Sequence, residues 1–371
     1  MNKRVLILVN HEIVVYNFRK ELVFELLKEG YEVYISSPKG KKIDILVESG
    51  AKHIDTHINR HGIRILEDLK LMKFYTKTIK DLKPLVVLTY TIKPNIYGGF
   101  AAKKNKVPYI ANITGLGTAV ERKGILQFIT KALYKRAFKK IHTVFFQNEE
   151  NMSFFIKNKI AIGKHALLPG SGVNLEEFKY LDYPNDDVIR FAFISRIMKE
   201  KGIDLYLEAA KEIKMIHPNT EFHVCGFCEE EYQEVLEQFQ NEGTIIYHGM
   251  VDNVIEMYKK IHCLIHPSTY PEGMSNVLLE AAASGRPVIT TNRNGTKETV
   301  DNEITGYILS DPLNINNLVD IIKGFIALDN ENKKTMGVSA RMKVTKSFSR
   351  TYVIQEYMKN IEKLCNYDKK Y

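Results

Sequence analysis

Short apolar runs rich in Val and Ile alternate with amphipathic stretches along the first half of the chain. Such runs are typical of buried strands, and apolar residues spaced three or four positions apart are typical of helices. The predicted strands are Val5–Val9, Glu32–Ser36, Leu85–Thr89, Tyr109–Ile113 and Thr143–Gln147. Helices are predicted over Arg19–Glu29, which Gly30 ends, and over Ile63–Leu82. This alternation predicts a parallel sheet covered by helices on both faces.

The alternation breaks over Leu167–Asp187, where Pro, Gly, Asn and acidic residues occur without periodicity, and it then restarts. The later strands are predicted at Arg190–Ser195, Glu221–Cys225, Thr244–Tyr247, Cys263–Ile265 and Pro287–Thr291, and the helices at Ile203–Ile216, Glu230–Gln240, Val254–Lys260, Asn276–Ala283 and Asn314–Ala327. The sequence therefore predicts an α/β protein with two lobes, residues 1–170 and 188–350, joined by a linker at residues 171–187. Residues 351–371 contain a last predicted helix, Tyr352–Leu364, that is expected to cross back to the first lobe.

The composition is that of a globular protein. Of 371 residues, 44% are hydrophobic and 26% are charged, and the four cysteines are too few for a disulfide framework. Cys225 and Cys228 form a Cys-x-x-Cys, but no second pair stands at zinc spacing, which disfavours a metal or redox role. No apolar run in the sequence is long enough to span a bilayer, and the first residues, which lack a cleavage pattern, are expected to form a buried strand. A cytoplasmic protein is expected, with peripheral contact to the inner face of the cell membrane left open.

The net charge of +9 is unevenly distributed. Residues 1–185 carry a net charge of +14, whereas the remaining residues carry −5. A basic half attracts nucleic acid, anionic lipid or a phosphorylated substrate. Charge alone does not choose among these partners.

The most informative stretch is PEGMSNVLLEAAASGRPVI, residues 271–289. It follows a predicted strand, and its helix begins near Ser275 or Asn276 and ends at Gly285. In a parallel sheet, a loop at this place lies at the carboxyl ends of the strands, where ligands bind. The free N–H groups at the start of the helix favour an anion such as phosphate.

Charged residues of both signs accompany this loop. Glu272 and Glu280 provide two acceptors that suit the hydroxyl groups of a sugar or ribose. Arg196 and Lys201 follow another strand of the same lobe, and two cations there suit a nucleotide diphosphate. If Glu272 and Glu280 stood alone, the preferred alternative would be that Glu272 is a solvated loop charge and Glu280 a solvated helix residue. Lys199 is interpreted as a solvated loop charge of this kind.

Taken together, these residues resemble a known family. The Arg196 and Lys201 loop, the E-x7-E spacing of Glu272 and Glu280, and the run EGMSNVLLEAAASGRPVI are similar to the nucleotide-sugar lobe of family 4 retaining glycosyltransferases of the GT-B fold. The segments NGTKE at 294–298 and TGY at 305–307 continue the likeness in order. It covers about residues 190–310 closely and the first lobe loosely.

The resemblance implies two Rossmann-like lobes facing a central cleft and a metal-independent transferase without a cofactor, whose nucleotide-sugar substrate is a UDP-sugar. It implies that Arg196 and Lys201 bind the diphosphate and that Glu280 binds the ribose. Val251 would lie beside the base, and Glu272 would bind the transferred sugar. The implied sugar-donor set is Arg196, Lys201, Val251, Glu272, Gly273, Met274, Ser275, Asn276 and Glu280, with Glu272, Arg196 and Lys201 as its catalytic members.

The first lobe departs from the common family pattern. Its first loop, Asn10–Arg19, is not Gly-rich, and no catalytic His is assigned there. The segments TYTIKPN at 89–95 and NITGLG at 112–117 resemble bacterial transferases that extend undecaprenyl-diphosphate-linked sugars with a hexose or N-acetylhexosamine, as in capsule or O-antigen synthesis. The residues expected on the acceptor side are His11, Asn17, Lys93, Asn95, Thr114 and Gly115. His11 is a candidate for acid–base work, and a structural turn is the alternative for Gly115.

The basic stretch at residues 122–140 holds seven Lys or Arg residues and several apolar residues at helical spacing. Such a helix can lie on an anionic membrane surface. The alternative is a core-packing helix with a solvated face. The charge of the first lobe favours membrane contact.

The preferred function is transfer of a hexose or N-acetylhexosamine from a nucleotide sugar to a lipid-linked saccharide acceptor in surface polysaccharide synthesis. The first alternative is a nucleotide-sugar epimerase of the same fold, which needs no acceptor. The second is a basic nucleic-acid-binding protein. The acidic second lobe argues against that alternative, so no nucleic-acid partner is expected.

Overall fold

The structure is a computed structural model that describes residues 2–59, 64–116, 124–185, 187–228 and 230–367. Contacts divide the chain into two compact units. Unit 1 comprises Met1–Ser171 and Thr351–Tyr371, and unit 2 comprises Gly172–Arg350. Each unit contains one parallel sheet among its described residues, so the predicted α/β class with two Rossmann-like domains is confirmed.

The sheet of unit 1 has the strand order β3-β2-β1-β4-β5-β6-β7 within the described residues. The strands are Arg4–Leu8 (β1), Glu32–Ser37 (β2), Lys52–Asp55 (β3), Val86–Tyr90 (β4), Tyr109–Ile113 (β5), Thr143–Phe146 (β6) and His165–Leu167 (β7). The central strands β4 and β5 are buried along their whole length, because helices cover both faces of the sheet.

The helices between residues 12 and 157 pack on the two faces of the unit 1 sheet. They are Glu12–Lys28 (α1), Lys41–Glu48 (α2), Ile65–Leu82 (α3), Gly99–Lys104 (α4), Ile125–Ala137 (α5) and Glu149–Lys157 (α6), with a π-helical turn at Pro94–Gly98 and a 3₁₀ turn at Phe138–Lys140. Gly30 adopts φ 77° just after α1, as expected for a residue that ends a helix.

The sheet of unit 2 has the order β10-β9-β8-β11-β12-β13 within the described residues. The strands are Ile189–Ile194 (β8), Thr220–Cys225 (β9), Ile246–Tyr247 (β10), Cys263–His266 (β11), Val288–Thr291 (β12) and Gly306–Leu309 (β13). The helices are Ile203–Ile216 (α7), Glu230–Asn241 (α8), Val254–Lys260 (α9), Asn276–Ala283 (α10), Ile315–Ala327 (α11) and Asn330–Ser347 (α12), with 3₁₀ turns at Lys199–Lys201 and Lys297–Thr299. Strand β11 is central, since it pairs with β8 on one side and β12 on the other.

Residues 171–187 are more than the linker expected from their composition. All but Ser171 belong to unit 2, and their backbone is held by that unit. The buried Arg286 donates hydrogen bonds to the carbonyl oxygens of Leu181 and Asp182, and Tyr183 donates to that of His262. The segment therefore packs as an irregular part of unit 2.

The last helix, Arg350–Tyr367 (α13), packs almost entirely in unit 1. Val353, Tyr357 and Ile361 join the core beside β1 and β4, and the Asn112 amide donates a hydrogen bond to the Tyr357 hydroxyl at 2.8 Å. Within the described residues, no helix is long and apolar enough to cross a membrane.

Candidate active site

The loops at the carboxyl edge of the unit 2 sheet are tied together by their backbones. Thr269 donates its N–H to the carbonyl of Glu200 at 2.8 Å, which joins the loop after β11 to the loop after β8. Gly202, at φ 82°, lies so close to Pro267 that an added Cβ would be 2.2 Å from its carbonyl oxygen. The sequence-predicted cations and carboxylates therefore meet at one edge.

Lys201 and Glu272 form an ion pair at this edge. Their side chains are only 9% and 16% exposed, so the pair is largely shielded from water. The Lys201 ammonium also lies 4.7 Å from the centre of the Tyr270 ring, and the exposed Arg196 guanidinium carbon lies 5.5 Å from the same ring. Tyr270 thus contacts two cations with one aromatic ring, a role that the sequence pattern did not reveal.

The start of helix α10 is fixed by the NGTKE segment. Ser275 donates its N–H to the carbonyl of Gly295 at 2.7 Å, and Gly295 donates to the Glu298 carboxylate at 2.7 Å. Gly295 has φ 85°, and a Cβ there would lie 2.8 Å from the Glu272 Cβ and 2.9 Å from the carbonyl oxygen of Gly273. A glycine is therefore required for this segment to support the Glu272 loop.

Glu280 and Val251 extend the site from the amino end of α10. The buried Tyr258 hydroxyl lies 3.4 Å from Glu280 Oε2, so Glu280 has an orienting partner inside unit 2. Val251 packs against the apolar cluster that contains Met274 and the α10 residues Leu278 and Leu279. The whole predicted sugar-donor set lies in unit 2, and the contacts of the described residues join Arg196, Lys201 and Glu272 directly or through Tyr270.

His266 lies close to the Glu272 carboxylate, and the sequence pattern did not single it out. It ends the central strand β11 and is 1% exposed. Its Nε2 lies 4.0 Å from Glu272 Oε1, and neither ring nitrogen has a hydrogen-bond partner among the described residues. Burial, with a smaller contribution from the Lys201 ammonium, lowers the pKa of the His266 imidazole to about 3, so the ring is neutral. Only its place at the end of a central strand could have marked it.

The acceptor candidates lie at the carboxyl edge of the unit 1 sheet, after neighbouring strands. Lys93 Nζ lies 2.9 Å from Asp68 Oδ1, and both line a cavity of about 320 Å³. Asn95 is different, because it is only 1% exposed. Its amide accepts from Thr89 and donates to the carbonyl of Asn112, so Asn95 holds the sheet edge instead of reaching an acceptor.

The other acceptor candidates are more open. His11 precedes α1, and its Nδ1 accepts the N–H of Ile13 at 3.2 Å, so this ring nitrogen is used as a helix cap. Asn17 is exposed on α1. Thr114 and Gly115 are partly buried just after β5, and Gly115 has φ 149°, which fits the turn alternative.

The described residues contain no group of three or more His, Cys, Asp or Glu side chains placed to hold a metal ion. Burial raises the pKa of the Cys225 thiol to about 12, so this member of the Cys-x-x-Cys is a poor nucleophile.

Comparison with known proteins decides the family. Residues 4–148 match the family model described as glycosyl transferase 4-like, and residues 179–342 match the model described as glycosyl transferases group 1. The chain belongs to the GT4-like glycosyltransferases.

Relatives of this glycosyltransferase cover most of its length. N,N'-diacetylbacillosaminyl-diphospho-undecaprenol alpha-1,3-N-acetylgalactosaminyltransferase of Campylobacter jejuni is 26% identical over 309 residues, which are 79% of this chain and 81% of the relative. The capsular polysaccharide biosynthesis glycosyltransferase CapM of Staphylococcus aureus is 27% identical over 355 residues, 89% of this chain and 90% of the relative. The prediction of a glycosyltransferase is confirmed, and these relatives give no support to the epimerase alternative.

Solved structures agree on the fold. A glycosyltransferase from Rickettsia africae aligns with a TM-score of 0.81 at 20% identity and covers 98% of this chain and 99% of its own. HepE of Anabaena, in complex with UDP-glucose, aligns with a TM-score of 0.78 at 16% identity and covers 97% and 99%. The GT-B fold expected for this glycosyltransferase is thereby confirmed.

Proposed function

We propose that this glycosyltransferase moves a hexose or N-acetylhexosamine from a UDP-sugar to a lipid-linked saccharide, with retention at the anomeric carbon. The observation that carries the proposal is the meeting of Arg196, Lys201 and Glu272 beside the amino end of α10. Cations and the positive amino end of a helix favour a diphosphate, and carboxylates favour the hydroxyls of a sugar and ribose.

Each group in unit 2 has a task in this proposal. Arg196, Lys201 and the backbone of residues 273–276 bind the diphosphate and stabilise its charge as it departs. Glu280 accepts hydrogen bonds from the ribose hydroxyls, and Val251 packs beside the uracil. Glu272 orients the transferred sugar.

The chemical step proceeds without a resident metal in this proposal. The bond between the anomeric carbon and the diphosphate oxygen breaks, and the acceptor hydroxyl oxygen bonds to the same face of that carbon. The hydroxyl proton passes to the departing diphosphate. Two fixed cations supply the charge stabilisation that a metal ion supplies elsewhere.

Names of relatives support the acceptor class. The Campylobacter jejuni relative acts on a diphospho-undecaprenol sugar, and an Escherichia coli galactosyltransferase that is 23% identical over 347 residues does so too. The acceptor saccharide binds in unit 1, where Lys93, Thr114 and Gly115 line the sheet edge and Asn95 keeps that edge in place.

Helix α5 supports peripheral contact with an anionic membrane. Residues 122 and 123 of the predicted basic stretch lie outside the described residues. Thr130 and Tyr134 of α5 are buried in unit 1, whereas Ile125 and Phe128 are 81% and 71% exposed. Five basic side chains follow these apolar residues: Lys131, Lys135, Arg136, Lys139 and Lys140. Exposed apolar residues followed by cations are typical of a segment that rests on anionic lipid.

Vesicle flotation tests this contact. Replacing Lys135, Arg136, Lys139 and Lys140 by Gln should weaken binding to phosphatidylglycerol vesicles at least about tenfold, since each cation near such a surface contributes about 1 kcal/mol. The matched control replaces the exposed unit 2 lysines Lys211, Lys259, Lys323 and Lys334 and should bind like wild type. Equal vesicle binding by all three proteins would contradict the proposed contact between α5 and the membrane.

A transfer assay tests the function itself. UDP-, GDP- and dTDP-sugars are first screened for thermal stabilisation, because a bound ligand raises the unfolding temperature. The stabilising sugar is then incubated with and without an undecaprenyl-diphosphate-linked saccharide. Product that forms only with the acceptor supports the proposal, and conversion of the nucleotide sugar without acceptor supports an epimerase.

A further inference from the structure

We infer that a cavity at the amino edge of the unit 1 sheet binds a ligand with two linked phosphate groups. The cavity has a volume of about 580 Å³. The polar side chains of this amino-edge cavity are those of four lysines and one histidine: Lys103, Lys106, Lys140, Lys164 and His142. The inference does not depend on the proposed function, because neither the nucleotide nor the acceptor saccharide is assigned to this cavity.

The amino-edge cavity lies where three neighbouring strands begin. Pro108, His142 and Lys164 directly precede β5, β6 and β7, which pair in parallel. The acceptor candidates Thr114 and Gly115 follow β5 at its other end. At about 3.3 Å per residue along an extended strand, Pro108 and Thr114 are about 20 Å apart. The cavity is therefore separate from the edge that carries the acceptor candidates.

The charges around the cavity have one sign. Among the described residues, no Asp or Glu side chain lines the cavity, and none of its four lysines forms an ion pair with a carboxylate. Lysines elsewhere in unit 1 do have such partners, as Lys52 has in Glu32 at 2.8 Å. Four ammonium groups without a neutralising carboxylate create a positive potential that attracts an anion.

Lys103 is partly buried, whereas the other three lysines of the cavity are exposed. Its ammonium donates a hydrogen bond to the carbonyl of Arg136 at 2.7 Å, which fixes its position and leaves its other N–H groups for a ligand. Burial lowers the pKa of the Lys103 ammonium, and Lys139 and Lys140 lower it further. A bound anion offsets this repulsion between cations and is therefore favoured.

The number of cations indicates the class of anion. One phosphate group carries about 1.5 to 2 negative charges near neutral pH, so two linked phosphates match the charge of four lysines. Lysine binds phosphate as a point charge, which suits an anion without planar geometry. Such a ligand has two possible sources, a soluble diphosphate or a lipid headgroup with two phosphates. The lipid is a source because Lys140 also belongs to the basic residues that follow the apolar start of α5.

Calorimetry with sodium diphosphate tests the inference for a soluble ligand. The protein is first saturated with UDP, so that the proposed nucleotide site in unit 2 is filled. The cavity variant carries Lys103→Gln, Lys106→Gln and Lys164→Gln. The matched control carries the same change at three exposed lysines of α3: Lys73, Lys77 and Lys80.

The cavity variant should bind diphosphate at least about tenfold more weakly than wild type, since three ion pairs that each contribute modestly are removed together. The control should bind like wild type. Inorganic phosphate should bind at least about tenfold more weakly than diphosphate, because it offers half of the charged groups. Equal diphosphate affinity of the three proteins, or equal affinity for phosphate and diphosphate, would overturn the inference. Failure of UDP to bind would instead contradict the proposed function and leave the comparison of cavity variant and control intact.

Vesicle flotation distinguishes the two sources of the ligand. Phosphatidylcholine vesicles that contain cardiolipin, whose headgroup carries two phosphates, are compared with vesicles of equal charge that contain phosphatidylglycerol. If the ligand is a lipid, the cavity variant should lose at least about tenfold in binding to the cardiolipin vesicles and much less to the others, because general attraction to anionic lipid depends on total charge. Diphosphate binding without this selective loss supports a soluble ligand. The absence of both would overturn the inference.

A spectroscopic readout covers the case in which the cavity variant fails to fold. Burial lowers the pKa of the His142 imidazole, and Lys164 and Lys363 lower it further. In wild-type protein with ¹³C-labelled histidine, the His142 signal is assigned by its loss in His142→Gln. A bound anion should raise the pKa of His142, because negative charge nearby favours the imidazolium. A His142 pKa that changes neither with saturating diphosphate nor with cardiolipin micelles would overturn the inference.

Discussion

The carboxyl edges of the two sheets differ in how they use their polar residues. In unit 2, the loops at this edge carry the Lys201–Glu272 ion pair, the Arg196 guanidinium and the start of helix α10. These groups are charged or dipolar. In unit 1, the edge carries the Lys93–Asp68 ion pair, and the buried Asn95 side chain is hydrogen-bonded to Thr89 and to the carbonyl of Asn112. The unit 2 edge therefore joins two cations to a carboxylate and a helix start, which suits a charged ligand, whereas a buried and hydrogen-bonded amide frames the unit 1 edge.

This contrast teaches which substitutions affect which property. Charges in unit 2 are expected to control affinity for the nucleotide and the rate of transfer. Buried amides in unit 1 are expected to control stability, while the few open side chains there tune acceptor recognition. Four variants test the contrast, from the largest expected effect to the smallest.

Replacing Arg196 and Lys201 together by Ala should nearly abolish transfer. Removal of one group that stabilises developing charge costs about 10²- to 10³-fold in kcat, so we expect a loss of at least about 10³-fold for both. The control is Lys199→Ala, an exposed lysine on the same loop. A double variant with more than a tenth of the wild-type rate would contradict the assignment of Arg196 and Lys201 to the diphosphate.

Gly295→Ala should destabilise unit 2 and weaken UDP binding, because the added Cβ collides with the Glu272 loop. We expect a loss of about 3 kcal/mol in the free energy of unfolding. Gly243→Ala is the control, since Gly243 has φ 70° but open space around its Cβ position. It should lose only about 1 kcal/mol. Equal losses in thermal or urea unfolding would show that backbone strain alone acts at Gly295.

Glu280→Ala should weaken UDP binding about tenfold, or about 1.4 kcal/mol, because the ribose loses an acceptor. Calorimetry with UDP and with 2′,3′-dideoxy-UDP separates this contact from a general effect. The variant should bind the dideoxy nucleotide as well as the wild-type protein does. A tenfold loss for both nucleotides would place the role of Glu280 elsewhere.

Thr114→Val should leave UDP affinity unchanged and raise the KM for the lipid-linked acceptor about threefold to tenfold, the cost of one hydrogen bond. The substitution keeps the shape of the side chain and removes its hydroxyl. Steady-state kinetics with varied acceptor gives the answer. A change in UDP affinity without a change in acceptor KM would contradict the assignment of UDP binding to unit 2 and acceptor binding to unit 1.

Much of the fold could be predicted from periodicity. Ile203–Ile216, Val254–Lys260 and Asn276–Ala283 have the predicted bounds, because each has a clear apolar face and a defined start. Lys52–Asp55 and His165–Leu167 were not predicted as strands. They lie at the two edges of the unit 1 sheet, where half-exposed residues leave no apolar run.

The site was predicted unevenly for a related reason. Charged residues that follow strands, such as Arg196 and Glu272, indicate a ligand site by their chemistry and their position. Asn95 has a residue type that suits an acceptor site, yet its burial becomes evident only when Thr89 and Asn112 are brought around it. The contacts of Tyr270 with Arg196 and Lys201 depend on spatial neighbours, which a linear sequence does not display.

The most direct test of the account is a crystal structure of the enzyme with UDP. The account predicts that the diphosphate contacts Arg196, Lys201 and the backbone of residues 273–276, with the ribose hydroxyls against Glu280. A nucleotide bound at another place, or one whose diphosphate touches neither cation, would contradict it.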